Sequence, residues 1–235
     1  MESNDAVVRF LEGQTFERPG PEGEPGTRPF VTVSRQAGAG GRSLAEALVA
    51  AFNRRVRPEL FGWNWADQEV CERLARDPRL RASLDALVGE RFRGPLEDAL
   101  TAALAGSAPQ LALYRAAFRV ERGLAAAGRV ILVGRGGVSA TRGLPGGVHV
   151  RLVGARTARV ERVAARNGWT RAQAGAWVDG QDRARERLLR EYFNAALEDP
   201  LLFDAAFNTD VVSPDVAAEA VAELVLARSR VAAPV

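Results

Sequence analysis

Hydrophobic positions along this chain alternate between two rhythms. Phe30-Val31-Thr32-Val33 is a β-rich run, and Ser43-Leu44-Ala45-Glu46-Ala47-Leu48-Val49-Ala50-Ala51-Phe52 soon follows with apolar residues at helical spacing. That change of period predicts a strand feeding a helix. Further on, the pattern predicts a short strand around Leu60–Trp65 and alanine-rich helices over 66–127, broken at Pro78, Gly94-Pro95 and Pro109. Strands at Arg129–Val133 and His149–Val153 come next, then a helix from about Thr157 to Arg166 and helix again to about Leu197. A last strand near Leu202–Asn208 precedes a closing helix from Pro214 to about Arg228. Strands separated by helices predict a parallel sheet with right-handed crossovers. Val130-Ile131-Leu132-Val133 is the unbroken apolar run expected of a parallel strand covered on both faces. Ahead of all this, residues 4–12 have helical character and the Pro/Gly-rich stretch Pro19–Gly26 reads as a linker. The expected organisation is a flexible tail over 1–28 and one domain over 29–230, with a helical insertion at about 66–127.

Composition narrows the class. Among the 235 residues there is no lysine, so all 32 basic side chains are arginine, and a formal charge of only +3 coexists with a pI near 9.9. The arginines alternate with acidic residues instead of forming a block, which speaks against a nucleic-acid partner. A single cysteine, Cys71, and a single histidine, His149, exclude an internal disulfide, a thiolate metal cluster and a paired-histidine site; both read as structural. No basic leader with an apolar core and no run long enough to cross a bilayer is present, so a soluble cytoplasmic protein with no membrane partner is expected.

The chemistry is concentrated between the first strand and the first helix. Ser34-Arg35-Gln36-Ala37-Gly38-Ala39-Gly40-Gly41-Arg42-Ser43 is a glycine-rich turn that opens a helix. Such a turn aims several backbone N–H groups, reinforced by the helix dipole, at one point, and a phosphate suits that point. Gly38, Gly40 and Gly41 permit the positive backbone angles and close approach a nest requires. Arg42 adds fixed positive charge, and Ser43 is placed to offer a hydroxyl to a magnesium ion. The signature G-x-x-x-x-G-K-[ST] is not met: Arg35 stands at the first glycine and Gly41 at the lysine. A dinucleotide fingerprint would need an acidic end to the second strand about 20 residues on. Asn53-Arg54-Arg55-Val56-Arg57 lies there instead, so a mononucleotide is favoured.

The loop resembles that of the cytidylate kinase-like proteins, a branch of the P-loop nucleoside monophosphate kinases. That branch itself lacks the loop lysine and carries Ser-Arg-Gln before the glycines and Gly-Gly-Arg after them. Further similarities follow in chain order: Ala66-Asp67-Gln68-Glu69-Val70, Val133-Gly134-Arg135-Gly136, Arg159-Val160-Glu161-Arg162-Val163 and Phe207-Asn208-Thr209-Asp210. The resemblance implies a three-layer α/β P-loop fold with a five-stranded parallel sheet in the order 2-3-1-4-5, a lid over about 168–197, ATP and Mg2+ as cofactors, and phosphoryl transfer to a nucleoside monophosphate. Carried over by position, Gly38, Ala39, Gly40, Gly41, Arg42 and Ser43 would hold the donor phosphates, with Arg159 and Arg166 beside them. Arg135 would contact the acceptor phosphate, Arg42, Arg135 and Arg162 would act in catalysis, and Asp67 and Arg57 would lie on the acceptor side. Where cytidylate kinases follow that arginine with aspartate this chain has Gly136, so the resemblance does not carry over a cytidine acceptor.

Arginine suits phosphoryl transfer because its planar fork grips two phosphate oxygens. Arg159, Arg162 and Arg166 share one helical face by their spacing, and so do Arg183, Arg187 and Arg190. Register against cytidylate kinases instead favours Asp182 and Arg185 as acceptor contacts, and both alternatives stand at this point. Ordinary surface duty is a competing role for these arginines, Arg162 excepted by its motif; Glu186 can pair with Arg183 and Arg190, and Glu191 with Arg187. Trp63, Trp65, Trp169 and Trp177 are candidates for base stacking, although tryptophan at such spacing is more often core. Three functions follow: a nucleoside monophosphate kinase, a nucleotide-binding regulatory module or kinase of another small molecule, and, least, a nucleic-acid binder.

Overall fold

The computed structural model describes residues 28–55, 60, 62–76, 109–134, 136–193 and 197–231. The helix expected at 4–12, the Pro19–Gly26 linker, Arg57, Arg135 and the middle of the insertion, with Pro78 and Gly94-Pro95, lie outside them.

β1 (Phe30–Arg35) takes the centre of the sheet because both of its faces can be buried: Val31 and Val33 point one way and Phe30 and Thr32 the other, all at 1% exposure or less. It pairs in parallel with β3 (Val130–Val133) on one side and β4 (Gly147–Val153) on the other. β2 (Asn64–Asp67) extends the sheet beyond β3 and β5 (Ala205–Asn208) beyond β4, again in parallel. The order is β2-β3-β1-β4-β5, as the resemblance implied.

Two helical layers cover the sheet. α1 (Gly41–Arg54) and α7 (Pro214–Val231) bury Leu44, Leu48, Phe52, Ala218, Val221 and Val225 against Val31, Val33, Ile131, Val150 and Leu152. On the other face α2 (Gln68–Ala75) and α3 (Pro109–Ala127) bury Val70, Leu74, Val120 and Leu124 against Phe30, Ala66, Val130 and Leu132. Cys71 belongs to this second core. Four-residue α4 (Gly137–Ala140) follows β3, and α5 (Arg156–Asn167) and α6 (Arg171–Phe193) form a hairpin beside the C-terminal ends of β1 and β4. Across the outer surface Arg55 holds Glu219 at 2.5 Å and Glu223 at 2.7 Å, tying α1 to α7.

Several element boundaries move from expectation for local reasons. β1 runs two residues past its apolar stretch because Ser34 and Arg35 keep pairing with Arg151 and Leu152. The last strand starts only at Ala205, since Asp199 caps a 3-10 turn at Pro200–Leu202 by accepting from Leu201 N–H at 2.9 Å. The predicted strand around Leu60–Trp65 lies at Asn64–Asp67, shifted toward the site. Between α5 and α6, Gly168 adopts the left-handed conformation that ends one helix. Thr170 and Gln173 then exchange capping hydrogen bonds that start the next.

Leu48 is fully buried between α1, the sheet and α7. Leu48→Ala is expected to lower unfolding free energy by about 3 kcal/mol, a transfer term plus the cavity left behind, as measured by urea denaturation.

Candidate functional site

The glycine loop owes its shape to three backbone constraints. Gln36 N–H donates to Leu152 O at 3.1 Å, extending the sheet by one rung, and Ala39 N–H donates to Gln36 O at 3.2 Å to close the turn. Gly38 and Gly40 then take positive φ, +78° and +82°, and Gly40 becomes the N-cap of α1. Gly41 is already helical, and its requirement is room: a Cβ there would meet Val133 Cγ1 at 3.1 Å and Arg35 Cγ at 3.2 Å. As at any helix start, the N–H groups of Gly41, Arg42 and Ser43 have no acceptor one turn back and point at the loop's mouth. No acidic side chain occupies that first turn.

Behind the loop lies a charged knot. Arg159, on α5 and 5% exposed, donates through Nη1 to Ala37 O at 2.8 Å and to Asp182 Oδ2 at 2.7 Å, and through Nε to Gly154 O at 2.9 Å. Asp182, on α6, accepts from Ala37 N–H at 2.7 Å with its other oxygen, which also takes Arg185 Nη1 at 3.3 Å. Both polar groups of Ala37 are thereby bound to the α5–α6 hairpin. Gly38 is what lets the hairpin approach, since a Cβ there would stand 2.6 Å from Arg159 O.

The arginines divide by face. Asp182 and Arg185 turn inward, Arg185 being 8% exposed, whereas Arg183, Arg187 and Arg190 are exposed. Of the two faces, the one that carries Asp182 and Arg185 turns toward the glycine loop. Arg162 holds Thr209 O at 2.9 Å and Asp210 Oδ1 at 2.8 Å, and Asp210 accepts Ala155 N–H at 2.6 Å, so the end of β5 is fastened to the start of α5. Arg166 is exposed at the end of α5. Arg42 lies over the Trp65 ring, 5.2 Å from its centroid, and meets Asp67 Oδ2 at 3.2 Å, with 61% of its side chain exposed. An ion pair that open is weak. Asp67 spends its second oxygen capping α2 through Val70 N–H at 3.1 Å. Trp63 packs on Phe52 in the core, and Trp169 meets Trp177 edge-on at 6.1 Å, with Trp177 against the small cluster that includes Ala37.

Two residues near the site are not among the candidate site residues, although Gln36 belongs to the Ser-Arg-Gln stretch of the loop. Gln36 Oε1 accepts Gly154 N–H at 3.0 Å, bridging the loop to the end of β4. Glu121 is fully enclosed between α3 and the end of β3, its Oε1 2.9 Å from where a Cβ on Gly134 would stand. Burial pushes its carboxyl up from about 4.5 to about 8; the charge of Arg35 opposes the rise and that of Glu72 adds to it. His149, which reads as structural from the sequence, shares a 2.8 Å hydrogen bond with Thr32 Oγ1 on the neighbouring strand.

Magnesium fits this loop through Ser43, which is exposed and whose hydroxyl makes no hydrogen bond among the described residues. Among those residues no group of three acidic, histidine or cysteine side chains converges. A metal here would be held by phosphates, water and one hydroxyl, the arrangement Mg2+ prefers.

A parallel sheet in this order with a glycine loop between β1 and α1 defines a P-loop protein of the kinase type. The chain belongs to the cytidylate kinase-like family, whose sequence pattern matches residues 30–211. Among solved structures it is similar to an uncharacterized protein from Eubacterium ventriosum, at 18% identity and TM-score 0.65, over 86% of this chain and 99% of that one. A shikimate kinase from Bacteroides thetaiotaomicron matches at 12% identity and TM-score 0.45, over 84% of this chain and 98% of that one. The comparison with curated proteins gave no match.

Asp182→Ala strands a buried guanidinium and is expected to destabilise the fold by about 3 kcal/mol in urea unfolding; Asp182→Asn, which keeps an acceptor for Ala37, should cost less. Glu121 sets a pH dependence. The fold retains a proton that the unfolded chain releases above about pH 4.5, so this group's stabilising contribution is complete below that pH and is lost as pH rises toward 8. Glu121→Gln has no proton to lose, so its melting temperature relative to the parent should climb between about pH 5 and about pH 8. Parallel curves would show that Glu121 titrates normally in the fold.

Proposed function

We propose that this chain is an ATP- and Mg2+-dependent kinase acting in the cytoplasm on a nucleoside monophosphate, with the α5–α6 hairpin as its lid. The observation that carries this reading is the knot of Arg159 and Asp182 on Ala37, which couples the phosphate loop rigidly to the hairpin expected to close over the reacting groups. Donor phosphates lie on the amides of Gly38 to Ser43, with Ala39 holding the turn. Magnesium, when bound beside Ser43, neutralises charge on the donor phosphates. Arg42 leaves Asp67 and reaches toward the phosphoryl being transferred, the role a loop lysine has elsewhere. Arg135 and Arg185 hold the acceptor phosphate, Arg183 and Arg187 attract it from the open rim, and Arg162 and Arg166 steady the donor side from α5.

A second reading has one observation in its favour. Gly136 has φ +94°, and a Cβ on it would meet Phe193 Cε2 at 3.1 Å and Phe118 Cε1 at 3.3 Å. An apolar wall thus stands where cytidylate kinases carry an aspartate. That supports a non-nucleotide acceptor, or a nucleotide-binding regulatory module that transfers nothing.

ADP release coupled to a panel of nucleoside monophosphates separates these readings. Acceptor-dependent release supports the kinase; ATP binding with no release on any monophosphate supports the second reading. Arg42→Ala is expected to lower turnover by roughly 100-fold with an unchanged circular dichroism spectrum. Near-normal turnover in that variant would remove Arg42 from the mechanism.

A further inference from the structure

The sheet face opposite α1 and α7 is apolar beneath α2 and α3 but polar toward α6. Thr32 and Ser34 on β1 stand at facing register positions with His149 and Arg151 on β4, so all four side chains project from the same face. Thr32 and His149 satisfy each other. Ser34 and Arg151 do not: they are 4% and 8% exposed, and neither side chain makes a hydrogen bond or ion pair with a described residue. The Arg151 guanidinium lies over the Phe203 ring, 5.8 Å from its centroid.

A guanidinium offers five donors and keeps its charge, so enclosing one without an acceptor is unfavourable. The surroundings add to the imbalance. Arg159 and Arg185 are buried to a similar degree, 5% and 8%. Asp182 bonds both of them and not Arg151. Glu186 and Glu198 lie close enough for Arg151 to feel their charge, yet both are exposed and unpaired among the described residues. What this pocket of charge lacks is a compact anion with several acceptor oxygens.

We infer that Arg151, with Ser34 beside it, is an anion-binding residue beneath α6 that takes the phosphate group of a phosphomonoester. Calling that ligand the acceptor rests on the kinase reading; phosphate binding by Arg151 does not. Arg151 forks onto two phosphate oxygens and Ser34 donates its hydroxyl to a third. Phe203 keeps the other face of the guanidinium dry, and Arg159, close enough for Arg151 to feel its charge, supplies the second positive charge.

The test is calorimetric titration of inorganic phosphate into the full chain, with and without ADP on the loop, for the parent, Arg151→Met and Arg151→Lys, with ATP titrated separately. Arg151→Met is expected to lose phosphate affinity by at least about tenfold and Arg151→Lys by less, while ATP affinity holds within about twofold. Its melting temperature should not fall, because an unbonded buried charge has been removed. Unchanged phosphate affinity in Arg151→Met, or no phosphate binding by the parent, overturns the assignment. So does a lower melting temperature with equal losses of phosphate and ATP binding, which makes Arg151 structural. Phosphate binding that depends on Arg151 in a chain that binds no ATP leaves this assignment standing and removes the kinase reading.

Discussion

The contact on which the rest depends is the grip of Arg159 and Asp182 on the two polar groups of Ala37. A glycine-rich turn is floppy by itself, and ordering it costs backbone entropy that a single phosphate must otherwise offset. Here the turn is held in place by groups outside the phosphate-facing surface. Arg159 ties it to Gly154 at the end of β4, Gln36 ties it there again, and Asp182 ties it to α6. The amides that start α1 are left facing outward. Gly38 is the steric condition for this arrangement, because only a residue without a Cβ lets the α5 backbone come so near.

A chain without lysine has to use one side chain for two unlike jobs, and exposure shows which arginine does which. Arg54, Arg55 and Arg156 make ion pairs on the surface, between α1 and α7 or between α5 and α6. Such pairs fix the direction of packing more than they stabilise it. Arg159 and Arg185 are enclosed and converge on Asp182, where desolvation makes each contact demanding in geometry. Arg42 is intermediate: anchored at Asp67 but mostly in solvent, it is a mobile charge at the mouth of the loop. Moving the charge one residue past the lysine position places it on the second residue of α1, from which a longer side chain reaches across to β2.

The end of β3 shows how a small local change alters what a site can accept. Glu121 fills the space behind Gly134, and Phe118 and Phe193 fill the space in front of Gly136. Burial holds the proton on this carboxyl to about pH 8 and so keeps it neutral beside Gly134. The apolar pair beyond it offers a ring or an aliphatic surface and no charge. The space around Gly134 and Gly136 is set by packing against α3 and α6 as much as by the segment's own residues.

The sequence alone fixed the alternation of strands and helices, the place of the phosphate loop and the family, because period and glycine spacing are local properties. It also singled out Asp67, the Arg159–Arg162 segment and Asn208-Thr209-Asp210 as successive family similarities, but the structure put Asp67 inside β2 and joined the last two through Arg162. Strand ends were less legible: Ser34 and Arg35 are polar, and only their partners on β4 make them strand. Which of the Asp182–Arg185 and Arg183–Arg187 faces turns inward was out of reach, since both fit one helix and the group that holds Asp182 is the Ala37 N–H, 145 residues away. Glu121 and Arg151 left no signal at all. Both are buried with no hydrogen bond to a described residue, and burial is created when distant elements close over a side chain; only the assembled sheet, α3 and α6 decide it.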